Sequence, residues 1–473
     1  MQVIENLING TNNLLWSYVL IILLIGAGVY FTVRTKFVQF RMIGEMFRLL
    51  GEGAMADKKG VSSFQAFCIS TASRVGTGNL AGVAIAITTG GPGAVFWMWL
   101  IALIGSASAF IESTLAQIYK VKDGDTYRGG PAYYMERALN ARWMGVTFAV
   151  IISLTFGLAF NSVQANTITS ALNGSFGINK VLIAIVLSII TAVIIFGGLK
   201  RVATVSEFMV PIMAGAYILM ALYIVIVNIT EIPSVFVLIF QSAFGLNEVA
   251  GGALGAAMMN GIKRGLFSNE AGMGSAPNAA ATADVSHPVK QGLIQALGVF
   301  VDTLLICSST AFIILLSGLY TSNESDGILL TQNALETAMG SWAGILLAVI
   351  VFLFCFSSVV GNYYYGETNI EFINTNKLWL NVYRVAVVAM VAFGSLASLS
   401  FVWSLADLLM GIMAIINLIA IVLLGKIAIA ALNDYMKQKA SGKNPVFHVS
   451  NIKGLKNVEA WGSTAQQDKG RTK

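Results

Sequence analysis

The chain has 473 residues, 56% of them hydrophobic and 11% charged, with a mean hydropathy of +0.75 and a formal net charge of +6. Soluble domains carry about 25% charged residues, so this composition excludes an ordinary soluble enzyme. With repeated apolar runs of about 20 residues it predicts an all-α polytopic membrane protein. The positive charge calls for no nucleic acid, because membrane proteins concentrate Lys and Arg on cytoplasmic loops.

Eleven spans are predicted, at about 14–33, 61–89, 94–119, 143–172, 181–198, 205–229, 234–263, 288–318, 342–367, 378–399 and 403–431. Together they form a transmembrane domain over 1–437. A polar, basic tail, 438–473, is expected to be flexible and cytoplasmic. The N-terminus lacks a basic stretch and a small-residue cleavage site, so the first apolar segment is expected to be a retained helix. Basic residues recur after alternate spans: Arg34, Lys36, Arg41, Arg48, Lys58 and Lys59; then Lys120, Lys122, Arg128, Arg137 and Arg142; then Lys200 and Arg201; then Lys263 and Arg264. This places the N-terminus outside a cell membrane and the C-terminus inside. The loop 34–60 mixes Phe37, Phe40, Met46 and Phe47 with charges. Its two readings are an amphipathic helix on the inner membrane surface and a helix packed under the bundle.

The second span is interrupted by Ser73-Arg74-Val75-Gly76-Thr77-Gly78-Asn79-Leu80-Ala81-Gly82. Irregular backbone at membrane depth is tolerated only where protein buries it or a cavity lies beside it, and broken helices mark transporter sites. Carbonyls from Ala72 to Val75 end the first half-helix and suit a dehydrated cation. The N–H groups near Gly78 and Asn79 open the second half and suit a carboxylate. Thr77 and Asn79 are expected to add ligand oxygens or orient a substrate. Glycines also serve close helix packing, but Arg74 and Asn79 inside the stretch favour a site.

In the fourth span Gln164 has two readings, a partner for a zwitterion and an interhelical hydrogen bond. A second interruption is expected at 244–255 in the seventh span, with Phe244, Gly251 and Gly252 toward the substrate. Setting the first span aside, the second and seventh then open two five-helix sets, 61–229 and 234–431, running in opposite directions, as in an inverted repeat. The ninth span carries Ser357 and Ser358, which offer hydroxyls to a hard cation or bond back to their own helix.

Glu112, Asp302 and Asp407 are acidic residues within spans. Asp302 is central enough to pair with a cation or carry a proton, with Arg74 or Arg384 as alternative structural partners. Cys68, Cys307 and Cys355 lie in apolar segments and read as inert packing residues. His287 and His448 fall outside spans, so no His relay or metal cluster is indicated, and there is no phosphate-binding loop.

Three motifs converge: the run from Ser73 through Ala84 continuing into Gly90-Gly91-Pro92-Gly93-Ala94; Arg128-Gly129-Gly130-Pro131-Ala132-Tyr133-Tyr134-Met135; and Gly265-Leu266-Phe267-Ser268-Asn269-Glu270-Ala271-Gly272-Met273-Gly274-Ser275-Ala276-Pro277. Together they resemble the alanine-or-glycine:cation symporter family, the sodium:alanine symporters, over nearly the whole chain except the tail. The resemblance implies a LeuT-type fold with one extra N-terminal helix, and sodium-coupled uptake of a small neutral amino acid by alternating access. It implies that Ala72 and Val75 hold sodium with Ser357 and Ser358, and that Thr77, Gly78, Asn79 and Gln164 face the substrate. One departure stands out. Alanine-selective members carry a Trp four residues after the second hydroxyl of the ninth-span pair, where this chain has Asn362. That implies a wider, more polar pocket, with glutamine or serine as alternatives to alanine and glycine.

Symport is the leading function. Proton coupling through Asp302 or Glu112 is the close competitor, and an uncoupled channel and a membrane enzyme stand behind it. Glu270, beside Lys263 and Arg264 in sequence, is expected to form an inner-gate salt bridge.

Overall fold

The computed structural model describes residues 2–54, 61–245, 252–321 and 326–461. It is a helical bundle. Among the described residues, eight helices are long and apolar enough to cross a membrane: Glu5–Arg34, Ala94–Ile118, Arg142–Phe176, Glu207–Val227, Pro288–Ser317, Ser341–Ile373, Lys377–Leu396 and Leu399–Ala440. Three shorter apolar helices accompany them, Gly78–Gly90, Lys180–Ile195 and Ile232–Ala243. Apolar side chains on the outside, such as Ile185, Ile189, Val193, Leu219 and Ile226, are exposed. A surface of this kind is stable only where lipid takes the place of water.

The second span breaks where its glycines lie. Helix Ser63–Arg74 starts on a capping box, Ser62 with Gln65, and ends on Val75 in an extended conformation. The chain resumes as a π-turn, Gly78–Gly82, and continues as helix Val83–Gly90. Every residue from 66 to 84 is buried.

The seventh segment differs from expectation. Helix Ile232–Ala243 is followed by Phe244 and Gly245 and then by helix Gly252–Asn269. Residues 246–251, and so Gly251, lie outside the described residues. Gly252 opens the second helix. On the other flank Phe244 is 50% exposed and its ring packs on Phe96 and Trp97. A buried interruption comes later. Helix Gly252–Asn269 stops at Glu270, which takes φ +58, and Gly272 and Gly274 follow at φ +83 and +90. Helix Ala276–Thr282 then resumes. Left-handed φ at three residues breaks the helical ladder, and all of 270–275 is buried. Lys263 and Arg264 accordingly sit inside a helix rather than in a basic loop, and both lie close to Asp407.

Small elements dress one end of the bundle. A two-stranded hairpin, Val121–Asp123 with Thr126–Arg128, and helix Pro131–Leu139 follow the third span. The loop helix Ile43–Ala54 buries Met46 and Leu49 and exposes Ile43 and Phe47, so it carries an inner and an outer apolar face at once. The tail is not loose over 446–461. Helix Leu399–Ala440 extends past 437, Phe447 N–H bonds Ser286 C=O, and Trp461 donates from Nε1 to the Gln117 carbonyl at 2.8 Å while its ring meets Phe447. Two aromatic rings of this stretch are thus buried against the bundle.

Candidate functional site

The two buried interruptions meet. Ser73 Oγ, at the end of the first half-helix, donates to Glu270 Oε1 at 2.8 Å, and Ser275 Oγ donates to Glu270 Oε2 at 2.5 Å. Glu270 forms no ion pair among the described residues. It lies between the two breaks rather than at a surface gate, because its helix ends in the bundle interior.

The carbonyl end of the first break is held from the ninth span. Ser358 Oγ lies 2.9 Å from Ala72 O and 3.3 Å from Val75 O; Ser357 Oγ lies 3.5 Å from Ala72 O and donates to Phe354 O at 2.8 Å. Two carbonyls and two hydroxyls thus converge, the hard-oxygen set that suits a small cation.

The N–H end is held from two sides. Gln164 Oε1 accepts from the Thr77 N–H at 3.0 Å and the Thr77 hydroxyl at 2.7 Å. Asn79 Oδ1 accepts from the Gly76 N–H at 2.9 Å. The Asn79 amide NH2 turns the other way, to Asp302 Oδ1 at 2.7 Å. Gly78 packs against Phe267 and Ser268, so that a Cβ there would lie 3.0 Å from each. The aromatic ring brought to the break is therefore Phe267, stacked between Phe160 and Trp403, and not Phe244. Asn362 is buried beside the carbonyl end. Its Oδ1 lies 2.7 Å from Ser73 Oγ, competing with Glu270 for the one hydroxyl proton, and its amide donates to Asn161 Oδ1 at 3.1 Å.

The sequence reading passed over two cysteines. Cys355 Sγ lies 3.2 Å from Thr77 Oγ1, and Cys307 Sγ lies 3.1 Å from Ser268 Oγ and 3.3 Å from Asn79 Nδ2. Both border the first break; apolar neighbours in sequence concealed that. The acidic residues also resolve differently. Asp407 pairs with Arg264 at 2.6 Å, and Arg384 pairs with Glu367 at 3.2 Å, leaving Asp302 with neutral partners. Arg74 is buried and donates from Nη1 to Gln295 O.

Two broken helices whose interruptions are buried and meet inside an apolar bundle define a multi-pass membrane transporter. Residues 1–449 match the model of the sodium:alanine symporter family, and the chain belongs to that family, one of transporters and not of enzymes. It is 60% identical to the amino-acid carrier protein AlsT of Bacillus subtilis, over 98% of this chain and 99% of the relative. It is 57% identical to the probable sodium/glutamine symporter GlnT of the same organism (97% and 96%), and 37% identical to the sodium/alanine symporter AgcS of Methanococcus maripaludis (92% and 98%). Among solved structures, the fold is similar to that of a Na+-coupled sialic acid symporter, with TM-score 0.52, 15% identity and 92% of each chain covered. It is similar also to the Eremococcus coleocola manganese transporter, with TM-score 0.51, 14% identity, and 80% and 81% covered.

Proposed function

We propose that this protein is a sodium-coupled symporter that imports a small neutral amino acid by alternating access. One observation carries the reading: the ends of the first break have opposite polarity and each is held by its own side-chain set. Ser357 and Ser358 gather the Ala72 and Val75 carbonyls, where sodium would bind, and Gln164 and Asn79 gather the Thr77 and Gly76 N–H groups, where a substrate carboxylate would bind. Sodium on the carbonyls fixes the break, so each ligand raises the other's affinity by the same factor.

The arrangement we propose has eleven spans, the N-terminus outside and the C-terminus inside. The first span precedes two five-helix sets, a LeuT-type inverted repeat, whose broken members are 63–90 and 252–282. The broken partner of the second span thus shifts to the Glu270–Ser275 interruption, and Ile232–Ala243 becomes an additional apolar helix.

Glutamine is the substrate we favour over alanine, glycine or serine. The support is the amide of Asn362 beside the break, together with 57% identity to a relative named as a sodium/glutamine symporter. Asn362→Trp is expected to weaken glutamine uptake more than alanine uptake. The deciding experiment loads proteoliposomes under an inward sodium gradient, screens neutral amino acids, and replaces sodium by choline at fixed pH. Accumulation that disappears in choline supports the reading. Accumulation that persists and follows a proton gradient overturns it.

A further inference from the structure

The two broken helices meet a second time, at one end of the bundle. Val61, just before helix Ser63–Arg74, pairs with Ala283, just after helix Ala276–Thr282, in a parallel bridge. The Asp284 N–H donates to the Val61 carbonyl at 3.0 Å. The inner end of the third span clasps this junction. Gln117 Nε2 donates to the carbonyls of Ala280 and Ala283, at 2.5 and 3.0 Å, and Lys120 Nζ donates to the Ala283 carbonyl at 2.7 Å. Under the proposed topology the junction closes the cytoplasmic end.

The chain beyond the last long helix lies over the clasp. Gln438 on that helix holds its start, bonding both the N–H and the carbonyl of Val446. Ser286 holds the next step: its carbonyl accepts from Phe447 N–H at 2.8 Å and its hydroxyl donates to the Pro445 carbonyl at 2.9 Å. The Phe447 ring meets the rings of His287 and Trp461 edge-on. At Trp461 the segment reaches the clasp. Its Nε1 donates to the Gln117 carbonyl at 2.8 Å, and its ring lies 5.0 Å from Lys120 Nζ, with Tyr127 4.0 Å from the same ammonium. Ordering an irregular segment costs conformational entropy at every residue, so its anchors must offset that cost. Here they are two buried aromatic rings with their polar groups satisfied.

We infer that residues 446–461 form a strap that keeps the junction of the broken helices shut, with Trp461 as its buckle on Gln117 and Lys120, an autoinhibitory contact that loosens before substrate is released inward. The inference rests on the alternating-access reading. The strap acts through the two side chains that hold the Ala283 carbonyl. With Trp461 in place Lys120 is 2% exposed, and its ammonium stays on that carbonyl. A desolvated cation over an aromatic ring is held more strongly than one in water. Without the ring, water reaches the ammonium and competes for it, the clasp weakens, and the Val61–Ala283 bridge parts more often.

The test uses the full-length protein, in nanodiscs for hydrogen exchange and in liposomes for sodium-driven uptake of alanine or glutamine. In Trp461→Ala the peptides covering 61–74 and 283–290 are expected to exchange about ten-fold faster, the scale of one buried hydrogen bond. The uptake rate at saturating substrate should rise several-fold. Trp461→Phe keeps a ring and loses the N–H, and should fall between. Lys120→Met cuts the clasp from the other side and should act as Trp461→Ala does, with the double variant going no further than either. Unchanged exchange at 283–290 in both single variants overturns the strap. Faster exchange without faster uptake overturns the autoinhibitory role and leaves a structural brace. Absence of sodium-driven uptake in the unaltered protein overturns the transport reading instead, and the exchange measurement still decides whether the strap holds the junction.

Discussion

Gln164 Oε1 accepts both the backbone N–H and the hydroxyl of Thr77, at 3.0 and 2.7 Å, in a setting where both residues are at most 2% exposed. One side chain of the fourth span thereby fixes the orientation of the first break. The two readings of Gln164 are compatible: it is an interhelical hydrogen bond, and it lies at the donors a carboxylate would use.

Gln164→Leu keeps the volume and removes the acceptor. Nothing then fixes the Thr77 N–H and hydroxyl in the direction of the proposed carboxylate site, and a bond from such a donor to a charged group is worth about 1.5–3 kcal/mol. The half-saturating amino-acid concentration is expected to rise about ten-fold or more, with a smaller change for sodium. Initial uptake rates over a two-way concentration matrix check this. An equal rise for both ligands would place Gln164 in general packing.

The glycines of the first break should fall in a definite order. A Cβ at Gly76 would collide with Ser358 Oγ and lie 2.8 Å from Gln164 Oε1; at Gly78 it would lie 3.0 Å from Phe267 and the Ser268 backbone; at Gly82 its nearest neighbour is Trp403 at 3.4 Å. Overpacking costs about 1–3 kcal/mol, whereas Ala for Gly in a helix gains up to about 1 kcal/mol where space allows. Gly82→Ala should therefore retain thermal stability and transport, Gly78→Ala lose part of each, and Gly76→Ala abolish uptake. Melting temperature in detergent alongside uptake checks the order.

Much of this was legible in the sequence because the signals were local. Three glycines among Arg74, Thr77 and Asn79 marked the first break, and apolar runs marked the helices. Glycines mark Phe244–Gly255 in the sequence, and residues 246–251 of that stretch lie outside the described residues. The buried interruption at 270–275 depends on depth in the bundle, which composition does not encode. The motif holding Glu270, Gly272 and Gly274 was already recognised as distinctive, and three positive-φ residues explain its composition. Cys307, Cys355 and the Arg264–Asp407 pair were out of reach for a different reason. Their partners lie between 39 and 278 residues away in the chain, and only tertiary packing joins them.

Glu45 ties the loop helix Ile43–Ala54 to the end of the last long helix. Arg48 grips it with two bonds, at 2.7 and 2.9 Å, Tyr435 OH donates at 2.5 Å, and Lys439 forms an ion pair with it. The Arg48 guanidinium, helped by Lys439 and Tyr435, holds its carboxyl down at about 2, below the ordinary 4.5. With the folded value depressed, the contribution to stability is fully present above about pH 4.5 and is lost as pH falls through about 2. The melting-temperature advantage of the unaltered protein over Glu45→Gln should be full near neutrality and shrink below about pH 4.5. A constant difference across that range would remove the ionised carboxylate from the account.

The Arg264–Asp407 pair roofs the same site from the other side. Arg264 stacks 4.3 Å over Trp403, Trp403 lies 4.6 Å from Phe267, and Phe267 lies 4.4 Å from Phe160. A cavity of about 630 Å³ of mixed lining, with Ile85 and Leu399 beside Thr88, Asp326, Ser404 and the pair itself, adjoins this stack. Arg264 Nε and Nη1, Asp407 Oδ1 and Trp403 Nε1 are buried without hydrogen-bond partners among the described residues. Each such group costs about 1–3 kcal/mol, so the packed stack carries unfilled hydrogen-bonding demand, offset by the Arg264–Asp407 ion pair, by Lys263 at 3.6 Å from Asp407 and by the Arg264–Trp403 contact. Removing one partner of a buried pair costs about 3–5 kcal/mol because the other charge is left alone. In Asp407→Asn the guanidinium is expected to turn into the cavity and the stack to part. Cys355 and Cys307, both beside the break, then become reporters: labelling by a water-soluble maleimide, resolved by peptide mass spectrometry, should speed up about ten-fold or more in the variant. Unchanged labelling in a folded variant would assign the seal to the aromatic rings alone.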